Sequence, residues 1–221
     1  MTCSDYWQLL LSLPKTLRFN LHYFPLKTAL RLPVVVSHRT YLRELRGKVI
    51  LPATIKTGMI RIGFGDVGHY DRQRSRSIWQ VSGIVNFQGN ASVGHGSKIS
   101  VRGQLTMGEG FNITAESTIV CAREITFGHD CLISWDVLVM DTDEHPIYNA
   151  EHQRINADAP IRVGNHVWIG CKCLLLKGTQ LPDNNVVAAG TICRSNVNGQ
   201  NQIVGGQPVR AFKENIYWQH F

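Results

Sequence analysis

Residues 163–193 read Val-Gly-Asn-His-Val-Trp-Ile-Gly-Cys-Lys-Cys-Leu-Leu-Leu-Lys-Gly-Thr-Gln-Leu-Pro-Asp-Asn-Asn-Val-Val-Ala-Ala-Gly-Thr-Ile-Cys. Every sixth position is apolar: Val163, Ile169, Leu175, Leu181, Val187 and Cys193. Four places after most of these stand Val167, Cys173, Thr179 and Thr191, which are small or β-branched. An amphipathic helix spaces its apolar residues by threes and fours. A period of six instead belongs to hexapeptide coils, in which three repeats of about 18 residues in total close a triangular turn with the aliphatic residue pointing inward. Successive turns then pair as parallel strands about 4.8 Å apart.

Working upstream, Phe87, Met107 and Phe127 recur every 20 residues, as do Val93, Ile113 and Ile133, and Ile99, Ile119 and Val139. One corner of the prism is therefore wider than in the later coils. The step from Val139 to Val163 is longer still, so residues 140–162 leave the prism as an extruded loop. The polar stretch Asp71 to Ser77 is expected to widen the corresponding place near the first coil, which would gather the insertions on one edge. The fold expected is all-β, a left-handed parallel β-helix over residues 59–205, with an N-terminal cap over 1–58 and a short C-terminal tail or helix over 206–221.

Composition supports this reading. Charged residues make up 18% of the chain and there are 20 glycines, which suits short strands and tight corners better than helices. The formal net charge is +7, and residues 1–50 carry eight Lys or Arg against two acids. No nucleic-acid-binding motif accompanies those cations, so nucleic acid is not an expected partner. The six cysteines are expected to be free thiols, several filling small core positions, in a reducing cytoplasm. The basic head, broken by Pro14, Pro25 and Pro33, reads either as a cap over exposed strand edges or as a contact for anionic lipid headgroups.

Met140-Asp141-Thr142-Asp143-Glu144-His145-Pro146-Ile147 leaves the prism directly after a core position. A neutral imidazole there is placed to take a proton from a hydroxyl near pH 7, and a carboxylate or carbonyl on its other nitrogen would fix the tautomer. A solvated loop histidine is the bland alternative. His95, His129, His145 and His166 are not separated by whole coils, so no zinc set is expected, and the loop lacks the glycine and terminal glutamate of an EF-hand calcium site. Ser134, Trp135 and Asp136, one strand earlier, are candidates for sugar contact, with core packing as the alternative for Trp135.

These residues resemble the hexapeptide-repeat acyltransferases, in particular the galactoside, maltose and surface-polysaccharide O-acetyltransferases, over roughly residues 84–214. The likeness rests on Val163 to Gly170, Leu175-Leu176-Lys177-Gly178, Val186 to Gly190, and Gly205-Gly206-Gln207-Pro208-Val209-Arg210. The resemblance implies a homotrimer with a site between each pair of subunits and acetyl-CoA as acyl donor, with no metal required. His145 would be the general base, and Asp143 or Asp141 would orient the imidazole or the acceptor. It also implies that Trp168, Cys171, Ala189 and Gly190 line the pantetheine arm, and that Gly170, Lys177, Arg194, Arg210 and Lys213 lie on the donor side, the last two near the nucleotide phosphates. Thr114 stands where galactoside-type members carry an acceptor-binding asparagine, and Cys171 where a serine is usual. The implied activity is O-acetylation of a sugar in a bacterial surface polysaccharide or its precursor. An N-acyltransferase acting on an amino sugar, or a trimeric scaffold without activity, is the alternative. Heads like residues 1–50 occur in relatives from surface-polysaccharide pathways, and would add peripheral membrane contact to a cytoplasmic enzyme.

Overall fold

A computed structural model of the chain describes residues 3–71 and 73–220, with side chains from Tyr6 onward. Helix α1 (Cys3–Tyr23) and the short α2 (Leu26–Ala29) lead into strands that wind into a three-sided parallel β-helix. Its sides are a nine-stranded sheet A, a seven-stranded sheet B and a six-stranded sheet C. The expected ladders form in register: Met107 pairs with Phe87 and Phe127, Ile113 with Val93 and Ile133, and Ile119 with Ile99 and Val139. Burial alternates along Lys98–Val101, Thr118–Cys121 and Glu124–Phe127, so the aliphatic column fills the prism while its neighbours face out. Phe87, Leu105, Phe127, Ile133, Ile169 and Leu175 are fully buried. Each contributes on the order of 1.5–3 kcal/mol of apolar burial. The corners must turn within a few residues while successive coils stay in contact. A Cβ on Gly83 would lie 2.1 Å from the Gly103 carbonyl oxygen of the next coil, so only glycine fits there.

The coils begin earlier than residue 59. Strands β1 (Val34–Val36), β2 (Tyr41–Glu44) and β3 (Lys48–Ile50) form a first turn, each pairing in parallel with a strand of the next. The period is obscured because Val34 must reach Ile60, a step lengthened by the chain between β3 and that strand. The cap proper is therefore the helical part of the head. There α1 presents a polar stripe to the open edge of β1. The Ser12 hydroxyl accepts the His38 N–H, the Thr16 hydroxyl accepts the Val36 N–H, and the Asn20 amide exchanges two bonds with Val34. The unpaired edge of sheet A is satisfied by side chains rather than left open to another strand. Phe19 packs edge-on to Trp79 at 5.3 Å and closes the end of the core. Pro14 lies inside α1, where it removes one backbone hydrogen bond; the bonds to β1 hold the helix across it.

A second difference concerns the insertions. Asp71 to Ser77 does not share an edge with the 140–162 loop. It belongs to the connection between Ile60–Phe64 of sheet A and Ile78–Val81 of sheet B, hence to the AB corner, whereas the long loop joins Leu138–Met140 of sheet B to Ile161–Val163 of sheet C at the BC corner. The aliphatic period stops at Ile62 and resumes only at Trp79, and it does not say which corner absorbed the residues between them. At the far end Ile203–Gly205 extends sheet A and Arg210–Lys213 folds back antiparallel on it. The tail then returns so that Trp218 stacks on His166 at 4.1 Å. Cys121, Cys131, Cys173 and Cys193 are buried free thiols, and Cys171 is half-buried; the Cys3 side chain lies outside the described residues.

Candidate active site

The BC loop is built as a small hairpin, with Tyr148 and Arg154 in an antiparallel bridge and Ile155 N–H bonded to the Ile147 carbonyl at 2.9 Å. Its base is Asp141. That carboxylate is fully buried and accepts the backbone N–H groups of Ala122 (2.7 Å), Arg123 (2.9 Å) and Glu124 (2.7 Å), the corner of the coil below. The Cys121 thiol, 3.7 Å from it, is pushed up to about 12, by burial first and by the Asp141 charge second. Asp141 is thus an internal anchor of the loop and does not face an acceptor, contrary to its expected role.

His145 is exposed, and its ring makes no hydrogen bond with any described residue. Asp143 does not orient it through the imidazole. The Asp143 carboxylate receives the Lys177 ammonium at 2.5 Å and the Asn156 amide at 2.8 Å, and both hold it below the usual carboxylate range, the Lys177 bond most. What fixes His145 is its backbone. Its N–H donates to the Asp143 carbonyl at 2.6 Å, and its carbonyl accepts the Asn156 amide at 2.8 Å. Asn156 also accepts the Ile147 N–H at 2.6 Å, and Lys177 also donates to the Asn156 carbonyl at 3.1 Å. Lys177, expected on the donor side, instead belongs to this scaffold. Asn156, which holds both flanks of Pro146, has no motif to announce it and was legible only after folding.

The second group lies at the AB corner. The Trp168 indole N–H donates to the Ser134 hydroxyl at 3.0 Å, which occupies that buried serine, while Trp168 itself is 38% exposed. The AB insertion folds over the other two sugar-contact candidates. The Tyr70 hydroxyl donates to Asp136 at 2.5 Å, Lys172 reaches the same carboxylate at 3.1 Å, and His69 lies edge-on to Trp135 at 4.6 Å. The Tyr70 bond, with Lys172 behind it, holds Asp136 below its usual range, and burial with the Asp136 bond pushes Tyr70 up to about 12. Trp135 is half-buried beneath a loop of its own chain and is not a core residue. Thr114 stacks over Gly94, where a Cβ would meet its carbonyl oxygen at 1.8 Å, and its buried hydroxyl makes no hydrogen bond with the described residues. Gly170 lets the coil above approach, since a Cβ would lie 2.7 Å from Ala189 N, and Gly190 has open space around it. Ala189 and Gly190 are exposed beside half-buried Cys171.

The candidates therefore do not meet within one chain. Those at the BC corner (Asp143, His145, Lys177, Arg194) and those at the AB corner (Trp135, Trp168, Cys171, Ala189, Gly190) flank sheet B. Between them its outward side chains Leu138, Met140, Leu174, Leu176 and Ile192 are half-buried and apolar. Arg194 opens onto a cavity of about 400 Å³ walled by Leu174, Leu176, Ile192 and Pro208. Arg210 and Lys213 are exposed on the terminal hairpin.

No protein-family model matches the chain. Over 121 residues it is 36% identical to a polysialic acid O-acetyltransferase of Neisseria meningitidis, covering 54% of this chain and 54% of that one. A polysialic acid O-acetyltransferase of Escherichia coli O1:K1 / APEC is 30% identical over 124 residues, 56% of this chain and 38% of the relative. A galactoside O-acetyltransferase of Escherichia coli (strain K12) is 32% identical over 111 residues, 49% and 53% of the two chains. The chain spans about half the length, or less, of these relatives. Over about half of its length, through its hexapeptide coils, the chain is a homologue of these O-acetyltransferases.

Proposed function

We propose that the chain transfers an acetyl group from acetyl-CoA to a hydroxyl of a surface polysaccharide or its precursor, with His145 as general base. The observation that carries this is the His145 loop: the imidazole is exposed while its backbone is pinned on both sides by Asp143 and Asn156, themselves fixed by Lys177. Such a base is positioned without being consumed by a structural bond. The names of the relatives supply the acceptor class and the acyl group.

The residues suit the donor. A pantetheine arm is thin, and exposed Ala189 and Gly190, next to Cys171 and the exposed face of Trp168, leave room for it against the backbone. Arg210 and Lys213 carry unburied charge for phosphates, and the cavity beside Arg194 suits an adenine ring. Bound there, acetyl-CoA would supply the acyl group as an activated thioester. His145 accepts the acceptor's hydroxyl proton at a ring nitrogen and returns it to the departing sulfur, a role worth about 10²–10⁴-fold. Because the two groups of residues sit on different corners, a homotrimer that seats the apolar face of sheet B against the next copy is the arrangement that brings base and donor together.

Release of free CoA thiol from acetyl-CoA, measured with polysialic acid, neutral oligosaccharides and amino sugars, tests the reading. Release with a hydroxyl acceptor supports it. Release with amines alone would assign N-acylation, and no release or CoA binding at all would leave a scaffold.

A further inference from the structure

Helix α1 is packed with its faces reversed. Its inward stripe is the polar Ser12, Thr16 and Asn20, buried against β1 with Phe19. Opposite them, Trp7, Leu10, Pro14, Leu17 and Leu21 follow one another by threes and fours, the spacing of a single helical face. Trp7, Leu10 and Leu21 are more than half exposed, as are Leu26 and Leu30 around α2. Solvent-exposed apolar side chains this concentrated mark a contact surface. Among the described residues no helix is long and apolar enough to cross a membrane.

Beside this face lies a cavity of about 330 Å³ lined by Lys15, His38, Arg39, Arg74 and Arg76, with Gln73 and Ser75. Lys15 comes from α1 itself and bonds the His38 and Thr40 carbonyls at 2.5 and 2.6 Å. Arg39 donates to the Gln73 carbonyl, and Arg76 lies 4.6 Å over the Tyr41 ring. Burial first, then the charges of Arg76 and Arg18, hold the Lys15 ammonium below its usual value. Asp71 pairs with Arg74 at 3.5 Å, on the open side. Cations converging on one cavity next to an apolar helix face form the two halves of an interfacial membrane site.

We infer that the α1–α2 end of the molecule docks on an anionic phospholipid bilayer, the apolar face of α1 entering the interface and the Lys15–Arg39–Arg74–Arg76 cavity receiving a phosphate headgroup. The cationic lining of the cavity beside the apolar face selects an anionic bilayer surface over a second protein. This docking is independent of the catalytic reading, since its test needs no turnover.

The test is sedimentation of the full chain with vesicles of phosphatidylcholine alone and of two parts phosphatidylcholine to one part phosphatidylglycerol. Binding to the anionic vesicles only is expected. Arg74→Gln with Arg76→Gln, both exposed positions of the cavity, should weaken it about thirty-fold, at about a factor of five per cation near the surface. Trp7→Glu with Leu10→Glu should abolish it while leaving the thermal melt unchanged. Binding to neither vesicle, equal binding to both, or variants that bind like wild type would overturn the inference. So would displacement by inorganic phosphate at matched ionic strength, which would make the cavity a free-anion site. Self-association that Trp7→Glu/Leu10→Glu removes, with no lipid binding, would assign the face to a second copy instead.

Discussion

Asp141→Ala should unmake the foundation of the His145 loop. The carboxylate accepts three backbone N–H groups at 2.7–2.9 Å from full burial. Hydrogen bonds to a charged group contribute about 1.5–3 kcal/mol each. Taking the low end, because the loop can admit water once the side chain is gone, the three sum to about 4.5 kcal/mol. For a chain of this size that lowers Tm by roughly 9–18 °C. Asp141→Asn keeps one acceptor oxygen and should lose about half as much. Circular dichroism melts at one fixed protein concentration measure both. A Tm for Asp141→Ala within about 2 °C of wild type would refute the anchoring argument. So would an Asp141→Asn protein with an unchanged melt and a raised acceptor KM, which would return this residue to the substrate.

Asn156→Ala, which frees the backbone on both sides of Pro146, should lower kcat by about 10²-fold with KM for acetyl-CoA unchanged, read by steady-state kinetics. Cys171 should be the first described cysteine to alkylate in the native protein, because the others are buried and Cys121, Cys131 and Cys193 are pushed up to about 12 by burial; CoA should protect it in a Cys3→Ser background followed by peptide mass spectrometry. The Tyr70–Asp136 tether involves a carboxylate held low in the folded state. Its contribution is therefore complete above the ordinary Asp value near 3.9 and is lost as pH falls through the lower folded value. Hydrogen exchange across 65–77, corrected for intrinsic rates, should show that loop opening in strong acid but not at pH 6, and Asp136→Asn should open it at both.

The aliphatic ladder was legible because a hexapeptide period is a direct image of which residues point inward, and Phe87–Met107–Phe127 or Ile133–Ile169–Val187 need nothing else to be aligned. Where the period breaks, the sequence loses its ruler. Val34 is separated from its partner Ile60 by an irregular stretch, so the sequence of the first coil looks like cap, and the period between Ile62 and Trp79 carries no sign of which corner the insertion widens. His145 stood out because a rigid strand, a proline and neighbouring acids frame it. The roles of its neighbours did not, because they depend on contacts across coils: Asp141 faces the corner at Ala122–Glu124, and Lys177 arrives one coil later to neutralise Asp143. The reversed packing of α1 was hidden for a similar reason. Ser12, Thr16 and Asn20 look like solvent-facing residues until an unpaired strand edge is placed beneath them.

The most direct test of the account is the rate of acetyl transfer to a hydroxyl acceptor by wild type and His145→Ala, compared at equal Tm and equal oligomer content. His145 is exposed and its ring bonds no described residue, so the substitution should leave folding intact. The account predicts a fall in kcat of about 10²–10⁴-fold with acetyl-CoA still bound. Turnover equal to wild type would contradict it and remove His145 from the reaction.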